Sequence, residues 1–85
     1  MPEPIEPVEI TDAKTLGLAI RARRKRDGLT LAETAGLTNV GIRFLSELEN
    51  GKPTVRLDKV LKVVAALGLR LQIAPITRIE QTWER

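Results

Sequence analysis

The chain has 85 residues, a formal net charge of +3, 42% hydrophobic and 29% charged residues, which is the size and balance of one small folded domain. It holds neither Cys nor His, and its aromatics are Phe44 and Trp83 alone. That excludes disulfides, thiolate or imidazole metal sites, cysteine nucleophiles and Ser-His-Asp catalysis, and it leaves no stacking platform for single-stranded nucleic acid.

The charge is unevenly divided. Residues 1–12 carry Glu3, Glu6, Glu9 and Asp12 without a Lys or Arg, so against the total of +3 the remaining residues carry +7. An acidic arm before a basic domain points to a polyanionic partner, most simply nucleic acid. A basic membrane-surface helix competes, but it needs a broad apolar face. No apolar run approaches the roughly 18 residues of a membrane span, and the Pro- and Glu-rich start is unlike a signal peptide, so cytoplasmic residence is expected.

Residues 1–10 read as an extended acidic arm, because Pro2, Pro4 and Pro7 disfavour helix. Thr11 is the expected cap of a first helix reaching about Asp27, with Leu16, Ile20 and Arg24 on one stripe and Gly28 ending it. Thr30-Leu31-Ala32-Glu33 forms a capping box for a short second helix through Thr38. Asn39 suits a tight turn, and a third helix spans about Gly41 to Glu49 until Asn50-Gly51 and Pro53 stop it. In the fourth helix, to Leu67, the spacing of Leu57, Val60, Leu61, Val64 and Leu67 predicts one buried face. Gly68 caps it. Leu69, Leu71 and Ile73 then alternate, predicting a strand over 69–74 with these three on one face, followed by a tail over 75–85.

A lone strand leaves its backbone donors unpaired, so a second copy of the chain is the expected partner, antiparallel about a two-fold axis. The alternative is an extended tail packed on the fourth helix. Thr30 to Glu49 also has the spacing of a helix-turn-helix, set against the reading of an ordinary helical hairpin; the basic first helix favours the former.

Gly28-Leu29-Thr30 and Leu45-Ser46-Glu47-Leu48-Glu49-Asn50-Gly51-Lys52 resemble the Xre/lambdoid-repressor helix-turn-helix family. The match runs on through Leu57-Asp58-Lys59-Val60-Leu61 and Ala66-Leu67-Gly68-Leu69, a longer pattern similar to HipB-like antitoxins, the partners of HipA-type kinase toxins. The resemblance implies an all-α, lambda-repressor-like bundle of four to five helices over 11–74, with a short C-terminal strand pairing across a homodimer through Leu69, Leu71 and Ile73. It implies a repressor of double-stranded, inverted-repeat operator DNA, and an antitoxin and autorepressor of a type II toxin–antitoxin operon with a HipA-like kinase. Alternatives are a stand-alone phage or metabolic repressor, and an interaction module that has lost DNA binding.

Position by position, the resemblance places Gly41, Ile42, Arg43, Ser46 and Glu47 toward the major groove. Arg43 is the residue best able to specify a base, through guanine O6 and N7. Glu47 is read either as a cytosine acceptor, as an orienting partner for Arg43, or as a solvated charge. Phosphate contacts are assigned to Thr30, Asn50, Lys52 and Arg23. Arg24 and Glu49 match a pair that is salt-bridged inside similar domains, and Arg24 independently continues the buried stripe. Four departures from the family pattern bear on binding strength: Leu31 replaces a phosphate-binding Gln, Thr34 a core Leu, Gly41 a Ser cap, and Gly36 weakens the second helix. Nothing calls for a metal or cofactor. Glu47 and Glu49 diverge around a helix, and Gly28 and Gly36 make no phosphate loop, so no enzyme is expected.

Overall fold

The computed structural model describes residues 7–76. Four helices are found among them: α1 (Ala13–Arg26), α2 (Leu31–Thr38), α3 (Ile42–Glu49) and α4 (Leu57–Ala66). Much of the acidic arm and of the tail, including Glu3, Glu6 and Trp83, lies outside the described residues.

Each helix starts and stops where local chemistry satisfies its end groups. The α1 cap expected at Thr11 falls one residue later. Asp12 accepts from the Thr15 amide at 2.8 Å, and the Thr15 hydroxyl accepts from the Asp12 amide at 3.1 Å. Thr15 stands three residues after Asp12, so a reciprocal box forms there, and the Thr15 amide holds the Asp12 carboxyl below its ordinary pKa. In α2, Thr30 and Glu33 exchange the same pair of bonds at 3.0 and 2.8 Å. Asn39 (φ 60°) ends α2 and Gly51 (φ 84°) ends α3, both left-handed. After α3 the Gly51 amide returns to Leu48 and the Lys52 amide to Glu47, the double closure that uses up orphan carbonyls.

The core is built by α3 lying against α1 and α2, with α4 closing on α2. Ile20, Leu45, Leu48, Val60 and Val63 are essentially inaccessible. Helix α1 crosses α3 at Gly17, where a Cβ would overlap the Leu48 carbonyl oxygen and sit 2.7 Å from that of Glu49. No side chain fits at that crossing.

One expectation fails in α4, and the segment beyond it has no pairing within the single chain. The buried face is Val60, Val63, Val64 and Leu67, whereas Leu57 and Leu61 are 64% and 45% exposed. The apolar residues are dense enough to admit two stripes a fraction of a turn apart, and packing on α2 selects the one centred on Val63 and Val64. Residues 69–76 belong to no helix, and among the described residues they pair with no strand. Leu69, whose amide closes on the Val64 carbonyl at 2.9 Å, packs against the core, while Ile73 stands fully exposed. The three alternating residues therefore do not share one environment in the single chain.

Candidate nucleic-acid interface

Helix α3 has two contrasting sides. Leu45, Leu48 and Glu49 are buried, and the half-buried Phe44 packs against the core with Lys59 Nζ 5.5 Å from its ring centre. This cation–π contact adds a link between α3 and α4. The opposite side begins at Gly41, Ile42 and Arg43, all exposed, and continues through the half-buried Ser46 and Glu47. Gly41 caps the helix without a side-chain bond, so the α3 N-terminal amides have no capping hydroxyl.

What holds α3 from behind is one buried cation. Arg24 Nε lies 2.6 Å from Glu49 Oε2, a second guanidinium nitrogen 2.9 Å from Oε1, and the third donates to the Leu29 carbonyl at 2.8 Å. A planar fork suits this arrangement: two parallel bonds to a carboxylate and one to a carbonyl. Both residues are over 90% buried, and the bonds to Glu49 raise the Arg24 pKa further above its ordinary range. One guanidinium thus joins the end of α1, the entry to α2 and the end of α3.

On the outer side, Glu47 carries two ion pairs, to Arg43 Nε at 3.4 Å and to Lys52 Nζ at 3.2 Å. The lysine, chiefly, and the arginine keep its carboxyl below the ordinary glutamate pKa. Asn50 reaches back to the Ser46 hydroxyl at 3.5 Å. The structure thus gathers Gly41, Ile42, Arg43, Ser46, Glu47, Asn50 and Lys52 along α3 and the turn after it. Thr30 is exposed, with its hydroxyl already accepting the α2 capping bond.

Arg23 is not gathered with them. It lies 3.4 Å from Asp27, with its Nε buried and without a hydrogen bond, and a terminal nitrogen sits 3.4 Å from where a Cβ on Gly68 would stand. Leu31, at the position where a Gln clamp is absent, packs against the core instead. Sequence reading missed Gly17, whose signal was a glycine inside the α1 stripe between Leu16 and Ile20. It also missed Lys52 as a partner of Glu47; only the closure of the chain after α3 brings that lysine back.

Among the described residues, no group of three or more Asp or Glu is placed to hold a metal ion, and no helix is long and apolar enough to cross a membrane.

Comparison with known proteins gives a consistent picture. Residues 15–72 match the helix-turn-helix domain family. The uncharacterized HTH-type transcriptional regulator y4mF of Sinorhizobium fredii is 43% identical over 58 residues, spanning 68% of this chain and 76% of that protein. Among solved structures, a HipB–O4 20mer complex superposes with a TM-score of 0.75 at 21% identity, covering 82% of this chain and 99% of the other. A HipA–HipB–O2–O3 complex gives 0.76 at 21% identity with the same coverage. The clp gene regulator ClgR of C. glutamicum gives 0.63 at 36% identity, over 75% of this chain and 82% of that one.

Proposed function

The chain is a transcriptional regulator of the Xre-type helix-turn-helix family with the fold of HipB, and on that premise we propose that it is the antitoxin and autorepressor of a type II toxin–antitoxin operon. In this reading a homodimer binds an inverted-repeat operator in the cytoplasm. Its α3 helices enter successive major grooves about 34 Å apart, and a HipA-like kinase is its protein partner. The observation that carries DNA binding is the two-sidedness of α3: an exposed Gly41-Ile42-Arg43 end on a helix anchored by Leu45, Leu48 and the Arg24–Glu49 pair. A groove reader needs that combination, because a base contact is only as selective as its helix is fixed. The antitoxin role draws on the HipB fold, since one of the similar structures is a HipA–HipB–O2–O3 complex.

The homodimer draws on the exposed segment that follows α4. Ile73 is fully exposed and Leu71 is 41% exposed, on backbone with no ladder of its own among the described residues. A second copy pairing there supplies both the hydrogen bonds and the cover. Ile73→Glu is expected to convert a dimer into a monomer in sedimentation equilibrium without lowering helix content. A second reading, a stand-alone gene regulator without a toxin, has the 36% identity to ClgR in its favour.

The test is a binding titration of the full chain against duplex DNA from upstream of its own reading frame, at several salt concentrations. Affinity should fall steeply with salt, log K losing about 0.9 per phosphate neutralised for every unit of log salt. Absence of any retained duplex in dilute buffer refutes DNA binding. Co-purification of the natively expressed protein with a kinase-like chain separates the antitoxin from the stand-alone regulator.

A further inference from the structure

Glu47 is the one acid on the outer side of α3, and it is bonded to both cations beside it. Arg43 precedes it by one helical turn, so the pair at 3.4 Å follows from helix geometry. Lys52 is set by backbone: its amide donates to the Glu47 carbonyl at 3.0 Å, which brings Nζ to 3.2 Å from Oε1.

Which nitrogens are engaged matters. Glu47 takes Nε of Arg43 and leaves both terminal nitrogens, the two that a bidentate guanine contact needs. It engages the Lys52 ammonium at one oxygen, and that group has further donors for a phosphate. A phosphate drawing Arg43 sideways has to break the Nε bond and bring backbone charge against a carboxylate. Guanine does neither.

We propose that Glu47 is the specificity-setting residue of this surface. It holds Arg43 aimed at guanine and opposes the phosphate contacts that would let α3 bind any sequence. The inference rests on the DNA-binding reading above. In the free protein these exposed pairs stabilise little, but in a groove that sheds water the same attractions strengthen. The carboxylate therefore acts in the complex rather than in the fold.

The experiment begins with selection of duplexes by the full chain from a pool with a randomised core. The wild-type protein and Glu47→Gln, which keeps the shape and removes the charge, are then titrated against the selected duplex and a scrambled one over a range of salt. The variant is expected to bind the scrambled duplex more tightly, with a steeper salt slope, and to lose about tenfold in the ratio of selected to scrambled affinity, within what one bidentate guanine contact supplies. In an Arg43→Ala background, Glu47→Gln should leave that ratio unchanged. Equal changes on both duplexes overturn the inference and leave Glu47 a solvated charge. Loss of discrimination confined to a cytosine, and persisting without Arg43, overturns it in favour of direct base contact. A wild-type chain that retains no duplex refutes the DNA-binding reading itself, a distinct result. Matching circular dichroism melts establish that the variant folds.

Discussion

Replacing glycine by alanine at two helical positions should move stability in opposite directions. At Gly36, within α2, an added Cβ meets nothing within 4 Å. The substitution keeps only its helix-propensity gain, up to about 1 kcal/mol. At Gly17 the same gain is available, but the Cβ would lie 2.7 Å from the Glu49 carbonyl oxygen and 2.9 Å from its carbon. Ordinary contact begins at 3.4 Å and the Leu48 carbonyl oxygen is nearer still, so α1 and α3 must part by more than about 0.7 Å. The obstacle is backbone at the end of a helix already tied through Glu49, so it cannot swing aside like a side chain. Overpacking of this kind costs about 1–3 kcal/mol, and the upper end applies here, leaving a net loss of about 2 kcal/mol. For a domain of this size each kcal/mol shifts Tm by roughly 4–8 °C. Thermal melts followed by far-UV circular dichroism should therefore show Gly36→Ala up to about 8 °C above the parent and Gly17→Ala about 8–16 °C below it. A Gly17→Ala melt at or above that of the parent would refute the close crossing of α1 on α3.

Other outcomes follow from buried polar groups and helix ends. Arg24→Met or Glu49→Leu alone should cost about 3–5 kcal/mol in urea unfolding, because each strands a buried charge, while the double variant should recover much of the loss. Thr34 is fully buried with a hydroxyl that has no hydrogen-bond partner, so Thr34→Val should raise the urea midpoint by the equivalent of about 1 kcal/mol. The Asp12 carboxyl titrates below its unfolded value because it accepts the Thr15 amide. The stability that cap contributes is thus present above about pH 4 and lost as pH falls through the folded value. Asp12→Asn, which keeps a capping oxygen without titrating, should flatten the acid limb of a pH–stability curve, and an unchanged limb would exclude the cap as its source.

Much of the fold was legible because helix ends are local chemistry. Thr30 with Glu33, Asn39, and Asn50-Gly51 mark their boundaries within a few residues of sequence. The α4 face was not legible to that depth. Val60, Leu61, Val63 and Val64 crowd both candidate stripes, and only the approach of α2 decides that Leu61 turns outward. Gly17 escaped for a related reason: a glycine inside a helix reads as a propensity defect until the partner backbone is seen against it. On α3 the spacing separates inner from outer residues, but the Lys52–Glu47 bond depends on a reversal of the chain that no periodicity encodes.

The three-way bonding of Arg24 has a dynamic consequence. Because one side chain ties the Leu29 carbonyl to the Glu49 carboxylate, the segments around them should open to solvent exchange as a single cooperative unit rather than fraying one by one. The helix that carries Arg43 then has no soft hinge behind it. Any accommodation between this protein and what it grips falls to the outer side chains and to the partner.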